Sequence, residues 1–183
     1  MVKNDNGKSK KEIPTRDECL KILREVGCSE KVINHILIVT DLALKIARCF
    51  PEVNLELVEA GALLHDLGRS KTHGIDHAVA GGKLALELGL PEEIINIIER
   101  HIVAGIQPAD AVKLGLPRKD YTPHTLEERI VAHADNLIED NKRCTIQRTV
   151  EILQNKGLPD VAERVFKLHL ALSHEAGIDL DEI

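Results

Sequence analysis

The sequence predicts an all-α fold, a single compact bundle of several helices with a polar site in its core. Aromatic residues make up only 2% of the 183 residues, which is few for a protein built from strands. Residues with β-branched side chains recur at helical spacing, without the alternation typical of exposed strands. Helix-capping motifs and Gly or Pro stops punctuate the chain at regular intervals. A chain of this length buries roughly 70% of its unfolded surface, enough for a core with an internal site.

The helix boundaries follow from local signals. The first predicted helix opens with the capping box Thr15-Arg-Asp-Glu18 and closes at Gly27. The second stops at Pro51, and the third, which is apolar over most of its length, stops at Gly68. The eight predicted helices cover about 17–26, 30–50, 55–67, 76–88, 91–104, 125–138, 145–155 and 159–176.

The later helices carry similar signals. Asp76 is the expected N-cap of the fourth helix, and Pro91 stands in the first turn of the fifth. A second capping box, Thr125-Leu-Glu-Glu128, opens the sixth, and Gly157 separates the last two. The first thirteen residues are polar and lack a periodic apolar face, so we expect a flexible arm over 1–13 and one helical domain over 14–183.

Composition excludes several classes of protein. The net charge of −6 argues against a general nucleic-acid binder or a protein of the membrane surface. The longest apolar runs fall short of the ~20 residues that a membrane span needs. The four cysteines lack CxxC spacing and no secretory leader is evident, so a reduced, cytoplasmic setting is expected.

Six ionisable residues fall where these helices should be apolar. His35, for example, shares a helical stripe with Val32, Val39 and Leu42. A single histidine on an apolar face is usually a hydrogen-bonded core residue, but a charged or polar group buried without a partner costs several kcal/mol. A common partner is therefore expected for all six: His35, His65, Asp66, His77, His101 and Asp135.

A transition metal is the simplest such partner. Imidazole nitrogen and carboxylate oxygen together suit Fe, Mn, Co, Ni or Zn, whereas Ca²⁺ prefers oxygen alone. Neighbouring residues on a helix diverge by about 100°, so His65 and Asp66 can reach one ion only at a helix end. A carboxylate is also disfavoured at a helix C-terminus unless a cation neutralises it.

These residues carry a family resemblance. The order His35, His65-Asp66, Asp135 and the stretch "LLHDLGR" resemble the HD-domain superfamily of metal-dependent phosphohydrolases. His77, followed by "AVAGG", is similar to a histidine of the HDIG-type subgroup. The resemblance covers about 34–136 and leaves both ends unmatched, including the predicted C-terminal helical pair over 145–176.

The resemblance implies an HD-domain bundle that holds one or two divalent ions. The implied reaction is hydrolysis of a phosphoester by a metal-activated hydroxide, with a nucleotide or dinucleotide as the first substrate class. Ile102 departs from the paired histidines of some relatives, which makes the second ion's site poorer in ligands. The implied ligands are His35, His65, Asp66 and Asp135 for the first ion, and Asp66, His77 and His101 for the second.

Substrate contacts are expected in two loops. Arg69 and Lys71 follow Asp66 and are candidates for contacts to phosphate, so all three are assigned catalytic roles, with solvated loop cations as the alternative for Arg69 and Lys71. The loop "GLPRKDYTPH" and the loop after Asp66 supply a candidate substrate rim, consisting of His73, Arg118 and Tyr121.

Two other functions remain open. A di-iron oxygenase is possible because relatives on this scaffold use mixed-valent iron, and a metal-stabilised nucleotide sensor would need no catalysis. Dependence of product formation on O₂ would identify the oxygenase, and phosphate release would identify the hydrolase. The native metal, the substrate and the oligomeric state are not determined by the sequence.

Overall fold

The computed structural model describes residues 11–183 of the chain. The predicted arm over 1–13 therefore lies mostly outside the described residues. Its last residues are close to the domain, since Ile13 packs against the core and Lys11 Nζ donates a hydrogen bond to the Leu90 carbonyl oxygen over 3.4 Å. No helix among the described residues has the length and apolar character to cross a membrane.

The predicted all-α fold is confirmed. Over residues 11–183 the secondary structure is almost entirely helical, with one two-stranded antiparallel hairpin. Short 3₁₀ helices cover Leu67–Ser70 and Leu180–Glu182. The longer elements are α1 (Arg16–Glu25), α2 (Glu30–Ala47), α3 (Leu55–Leu64), α4 (His77–Glu87), α5 (Glu92–Arg100), α6 (Pro108–Lys113), α7 (Leu126–Asn136), β1 (Ile138–Glu139), β2 (Lys142–Arg143), α8 (Ile146–Asn155) and α9 (Pro159–Ala176).

Helix α3 is the centre of the bundle. It packs against α1, α2, α5 and α7, and its residues from Leu57 to Leu64 are buried except Glu59. A helix with apolar residues on every face gains most stability when it is surrounded in this way. Asn54 caps its start by accepting a hydrogen bond from the Leu57 amide over 3.1 Å. The C-terminal end of α3 therefore delivers the next residues, His65 and Asp66, into the interior.

Several predicted boundaries were wrong by more than the usual one or two residues. Helix α3 ends at Leu64 and not at Leu67, because the chain tightens into a 3₁₀ turn that packs against α4. Helix α5 ends at Arg100 and not near Ala104. The chain leaves α5 through Val103, whose φ of 50° is left-handed and cannot continue a helix.

Other local predictions need smaller corrections. Pro91 is the N-cap of α5 and not a first-turn residue. Asp76 stands at the N-cap of α4, but its carboxylate accepts from the Thr72 hydroxyl and makes no capping hydrogen bond. Helix α6 and the β1–β2 hairpin were not predicted, since six residues and two residue pairs are too short to show a clear period. Both capping boxes form as predicted, at Thr15 and at Thr125.

Candidate metal centre

The site begins where α3 ends. His65 is the C-cap of α3, and Asp66 leaves helical geometry with φ −96° and ψ 18° before the 3₁₀ turn. That turn lies against the start of α4: a Cβ on Gly68 would come within 1.9 Å of the His77 carbonyl oxygen. Only glycine permits this approach. The contact brings His77 beside Asp66.

The structure brings the six candidate ligands together in one cluster with Asp66 at its centre. They come from α2, α4, α7 and the ends of α3 and α5. One carboxylate oxygen, Oδ1, lies 3.1 Å from His77 Nε2 and 3.6 Å from His101 Nε2. The other, Oδ2, lies 3.8 Å from His65 Nε2. Asp66 thus presents one oxygen to each side of the cluster.

Asp135 forms the second carboxylate of the cluster. Its Oδ1 lies 2.9 Å from His35 Nε2 and 3.7 Å from His65 Nε2. His65 therefore stands between the two carboxylates. Two groups of three ligands result, in each of which the ligand atoms lie within 4.8 Å of one another: His35, His65 and Asp135, and His65, Asp66 and His101.

Backbone hydrogen bonds fix three of the imidazole rings. Nδ1 of His65, of His77 and of His101 each lies 2.7 Å from the carbonyl oxygen three residues earlier in the chain. A carbonyl oxygen only accepts, so each Nδ1 carries a proton, and each ring directs its other nitrogen, Nε2, into the cluster. A hydrogen bond from the ring nitrogen that faces away from the ion to a backbone carbonyl is typical of histidines that bind metal ions.

The arrangement of the Nε2 atoms fits a divalent cation. His77 Nε2 and His101 Nε2 lie 3.1 Å apart, and two lone pairs at that distance repel unless a proton or a metal ion lies between them. His65 Nε2 is buried and has no hydrogen-bonding partner among the described residues. Imidazole nitrogens and carboxylate oxygens that converge in a buried cluster suit a divalent transition metal, whose identity the donor set leaves open.

The electrostatics of the cluster keep both carboxylates ionised. Burial raises the pKa of Asp66, but the neighbouring His65, His101 and His77 more than offset this and hold that pKa well below its usual range. Burial also opposes ionisation of Asp135, and its hydrogen bond with His35 helps to lower the pKa below the ordinary value. Burial lowers the pKa of His65 to about 4, so this ring is neutral at pH 7. Ionised carboxylates and neutral imidazole are the forms that bind metal ions.

A cavity of about 330 Å³ opens beside the cluster. Arg69 lies in its wall: Nε donates to both oxygens of Asp66 over 2.9–3.0 Å, and Nη1 donates to the His73 carbonyl oxygen over 3.3 Å. The other guanidinium N–H groups of Arg69 have no acceptor among residues 11–183 and can bind a ligand in the cavity. The lining residues are Ser29, Lys31, Val32, His35, Asp66, Arg69, His73, Asp140 and Asn141.

Of the other residues predicted to contact substrate, only one lines the cavity. His73 lines the cavity, whereas Lys71 and Arg118 are exposed and do not. The expectation that Tyr121 lies on a substrate rim was wrong. Its side chain is 2% exposed because it packs in a small apolar cluster with Val79, and its hydroxyl donates to the Pro117 carbonyl oxygen.

Sequence reasoning missed two buried polar pairs near the site. Arg100 Nη1 donates to both carboxylate oxygens of Glu128 over 2.8 and 3.0 Å, which ties the end of α5 to the start of α7. Glu128 had been explained by capping alone, although it is only 3% exposed. His133 and His169 are both buried, and His133 Nε2 lies 3.2 Å from His169 Nδ1. Their shared burial could not be read from either helix alone.

Comparisons with known proteins agree with this geometry. The family model of the HD domain matches residues 32–140. A tRNA (cytidine(56)-2'-O)-methyltransferase of Thermoplasma volcanium is 47% identical over 98% of this chain and 53% of its own length. An uncharacterized protein of Methanocaldococcus jannaschii is 48% identical over 76% of this chain and 85% of its own. This chain thus spans about half the length of the methyltransferase relatives that it matches.

More distant relatives and solved structures are similar over most of this chain. A ribonuclease Y of Thermosipho melanesiensis is 28% identical over 84% of this chain and 32% of its own length. The HD domain of the L. monocytogenes phosphodiesterase PgpH in complex with cyclic-di-AMP superposes with a TM-score of 0.60 at 16% identity, covering 88% of this chain and 92% of that one. At that identity the likeness shows the fold. From the family match and the close relatives together, the chain belongs to the HD domain family.

Proposed function

We propose that the protein is a metal-dependent phosphohydrolase that cleaves a phosphoester of a nucleotide or dinucleotide. The observation that carries the proposal is the convergence of three histidine Nε2 atoms on Asp66, one of them, that of His65, buried without a hydrogen-bonding partner among the described residues. Asp66 lies in the wall of a cavity that Arg69 also lines. A buried cation site and an adjacent anion-binding side chain are the two parts that phosphoryl transfer needs.

His35, His65, Asp66 and Asp135 are the proposed ligands of one ion. A bound divalent ion would supply a Lewis acid that lowers the pKa of water and polarises the phosphoryl oxygens. Asp66 directs one oxygen to His65 and the other to His77 and His101, which is the arrangement expected of a carboxylate shared by two ions. A second ion held by His77 and His101 is therefore part of the proposal.

Arg69 is the proposed phosphate-binding residue. Asp66 and the His73 carbonyl fix its guanidinium at the cavity wall, so its free N–H groups are oriented before substrate arrives. A planar guanidinium can bind two phosphoryl oxygens at once and stabilise the negative charge that develops as the P–O bond breaks. Lys71 is exposed outside the cavity, so a phosphate role for it would require a substrate that extends beyond the wall.

Two findings support a nucleotide substrate. The structural neighbour is a phosphodiesterase described with cyclic-di-AMP, and curated relatives are described as a ribonuclease and as tRNA methyltransferases. The names ribonuclease and tRNA methyltransferase both concern RNA. The net charge had instead predicted no general nucleic-acid binding. The cavity is small and its lining is mostly polar, which suits the phosphate and sugar of a single nucleotide or of an RNA end.

Hydrolysis of a substrate panel tests the proposal, followed by chromatography of the nucleotide products and, for the monophosphates, also by release of inorganic phosphate. The purified protein should be loaded with Mn²⁺ or Fe²⁺ and supplied with nucleoside monophosphates, linear dinucleotides and cyclic dinucleotides, with and without chelator. We expect hydrolysis of at least one class that stops on chelation and does not depend on O₂. Product formation that requires O₂ would identify the oxygenase alternative.

A second candidate is a non-catalytic domain that binds a nucleotide or RNA. It is favoured by the relatives named as tRNA methyltransferases, whose named activity is methyl transfer and of which this chain spans about half. Nucleotide binding without turnover across the whole panel and across all loaded metals would support this candidate over the hydrolase.

A further inference from the structure

The cavity beside the metal cluster has a second wall that the proposed chemistry does not use. With a volume of about 330 Å³ it falls at the lower end of the range for ligand pockets, and it extends past the residues around Asp66. The first turn of α2 and the turn between β1 and β2 complete it, through Ser29, Lys31, Asp140 and Asn141. The part of a substrate next to the scissile phosphate would contact these side chains.

Lys31 brings a positive charge to this wall. It precedes His35 by four residues, so the two side chains lie on one face of α2 about 6 Å apart along the helix axis. Among the described residues, no hydrogen bond or ion pair involves the Lys31 ammonium group, so its charge is free for a ligand. The start of α2, capped by Ser29, adds the positive end of the helix dipole at the same wall.

The hairpin turn faces the cavity with polar groups. Asp140 and Asn141 both adopt left-handed backbone, with φ of 48° and 61°, as expected for the two central residues of a tight hairpin turn. The Asn141 amide can donate to a phosphate or hydroxyl oxygen, and the Asp140 carboxylate can accept from sugar hydroxyls. Apart from His35 and His73 no aromatic ring lines the cavity, so base stacking contributes little to recognition here.

We propose that Lys31, assisted by Asn141, binds a second phosphate of the substrate, about one helical turn from the metal cluster. The proposal rests on the proposed function for the identity of the first phosphate, and it makes the site selective for nucleotides with two phosphate groups. Because Asp140 repels anions, the second phosphate is placed on the Lys31 side and a sugar hydroxyl on the Asp140 side. The second phosphate can belong to a diphosphate or to a neighbouring position on the sugar.

Equilibrium binding under chelation tests this without turnover. Titration calorimetry should compare three probes: AMP, ADP and adenosine 3′,5′-bisphosphate. In the wild type we expect at least one of the two doubly phosphorylated probes to bind ~10- to 150-fold more tightly than AMP, the range for one charge-assisted hydrogen bond. The favoured probe then identifies whether the second phosphate is adjacent or on the 3′ position.

The variants separate a specific contact from general attraction. Lys31→Ala should bring the dissociation constant of AMP close to that of the favoured doubly phosphorylated probe, so that their ratio approaches one. Lys31→Arg should restore most of the wild-type preference. Lys45→Ala is the matched control, because Lys45 is an exposed cation near the other end of α2 and does not line the cavity. It should keep the wild-type ratio.

Two results would overturn the proposal: equal binding of all three probes by the wild type, or an unchanged ratio in Lys31→Ala. Failure of the proposed function would look different. If the metal-loaded wild type hydrolyses no nucleotide while the Lys31-dependent preference persists, the second phosphate site is supported and the proposed hydrolysis is refuted. Hydrolysis without any such preference refutes only the subsite.

Discussion

Substituting Gly68 by alanine should damage the metal centre through the backbone alone. The added Cβ would lie 1.9 Å from the His77 carbonyl oxygen and 2.5 Å from the Gly81 amide nitrogen. Both atoms belong to the backbone of α4, so no side-chain rotation can relieve the contact. The 3₁₀ turn and α4 must separate by more than 1 Å to restore an ordinary carbon–oxygen distance of ~3.5 Å. That movement carries His77 away from Asp66.

The expected loss of stability follows from the packing. Overpacking a tight contact costs ~1–3 kcal/mol, and the entropy that alanine removes from the unfolded chain returns ~0.4–1 kcal/mol. The net loss of ~1–2 kcal/mol corresponds to a fall in Tm of roughly 2–8 °C for a domain of this size. Because ligand geometry also changes, the affinity for Mn²⁺ should fall ~10- to 100-fold, as for loss of a residue that orients a metal ligand.

Gly157→Ala provides the control. Gly157 has a left-handed φ of 74° and open space around its Cβ position, so alanine there is strained by ~1–2 kcal/mol without displacing a neighbour. Thermal unfolding and metal titration of both variants separate the two effects. Both should be destabilised, and only Gly68→Ala should bind Mn²⁺ more weakly. Wild-type Tm and Mn²⁺ affinity in Gly68→Ala would refute the packing argument.

Three further predictions concern the site and its support. Arg69→Ala should lower kcat/KM ~10- to 1,000-fold when both proteins are saturated with Mn²⁺, and equal kinetics in variant and wild type would instead favour a solvated loop cation. The double variant His77→Ala/His101→Ala should keep about one ion and lose most hydrolysis, whereas full turnover with one ion in the wild type would make the site mononuclear. Arg100→Met leaves the Glu128 carboxylate buried without its cation, with only the His124 and Thr125 amides still donating to it, so urea unfolding should show a loss of ~1.5–3 kcal/mol. Adding Glu128→Gln should recover part of that loss, and no recovery would argue against an unpaired charge as the cause.

The helices and the inward-facing ligands could be predicted because their signals are local. Capping boxes at Thr15 and Thr125 depend on residues three apart, and the position of His35 depends on the period of one helix. The early end of α3 was harder to predict from the sequence, since it depends on the contact between Gly68 and the backbone of α4. Local sequence marks a glycine stop and does not reveal what the glycine packs against.

The second wall of the cavity could be predicted only in part. Lys31 stands four residues before His35, so a search along the helical stripe of each candidate ligand would have found it. Asp140 and Asn141 reach the cavity through a hairpin that is too short to show a period in the sequence. The burial of Tyr121 could not be predicted either, because it depends on backbone hydrogen bonds with Ile106, fifteen residues away. Contacts between elements far apart in the chain decide these positions.

The central claim is that the residues around Asp66 hold a divalent ion that phosphoester hydrolysis requires. The direct test is elemental analysis and nucleotide hydrolysis on the same samples of wild type and Asp66→Ala, each loaded with Mn²⁺ under reducing conditions. We expect metal and turnover in the wild type and neither in the variant, with far-ultraviolet circular dichroism showing that its helices persist. Full metal occupancy and wild-type turnover in Asp66→Ala would contradict the claim.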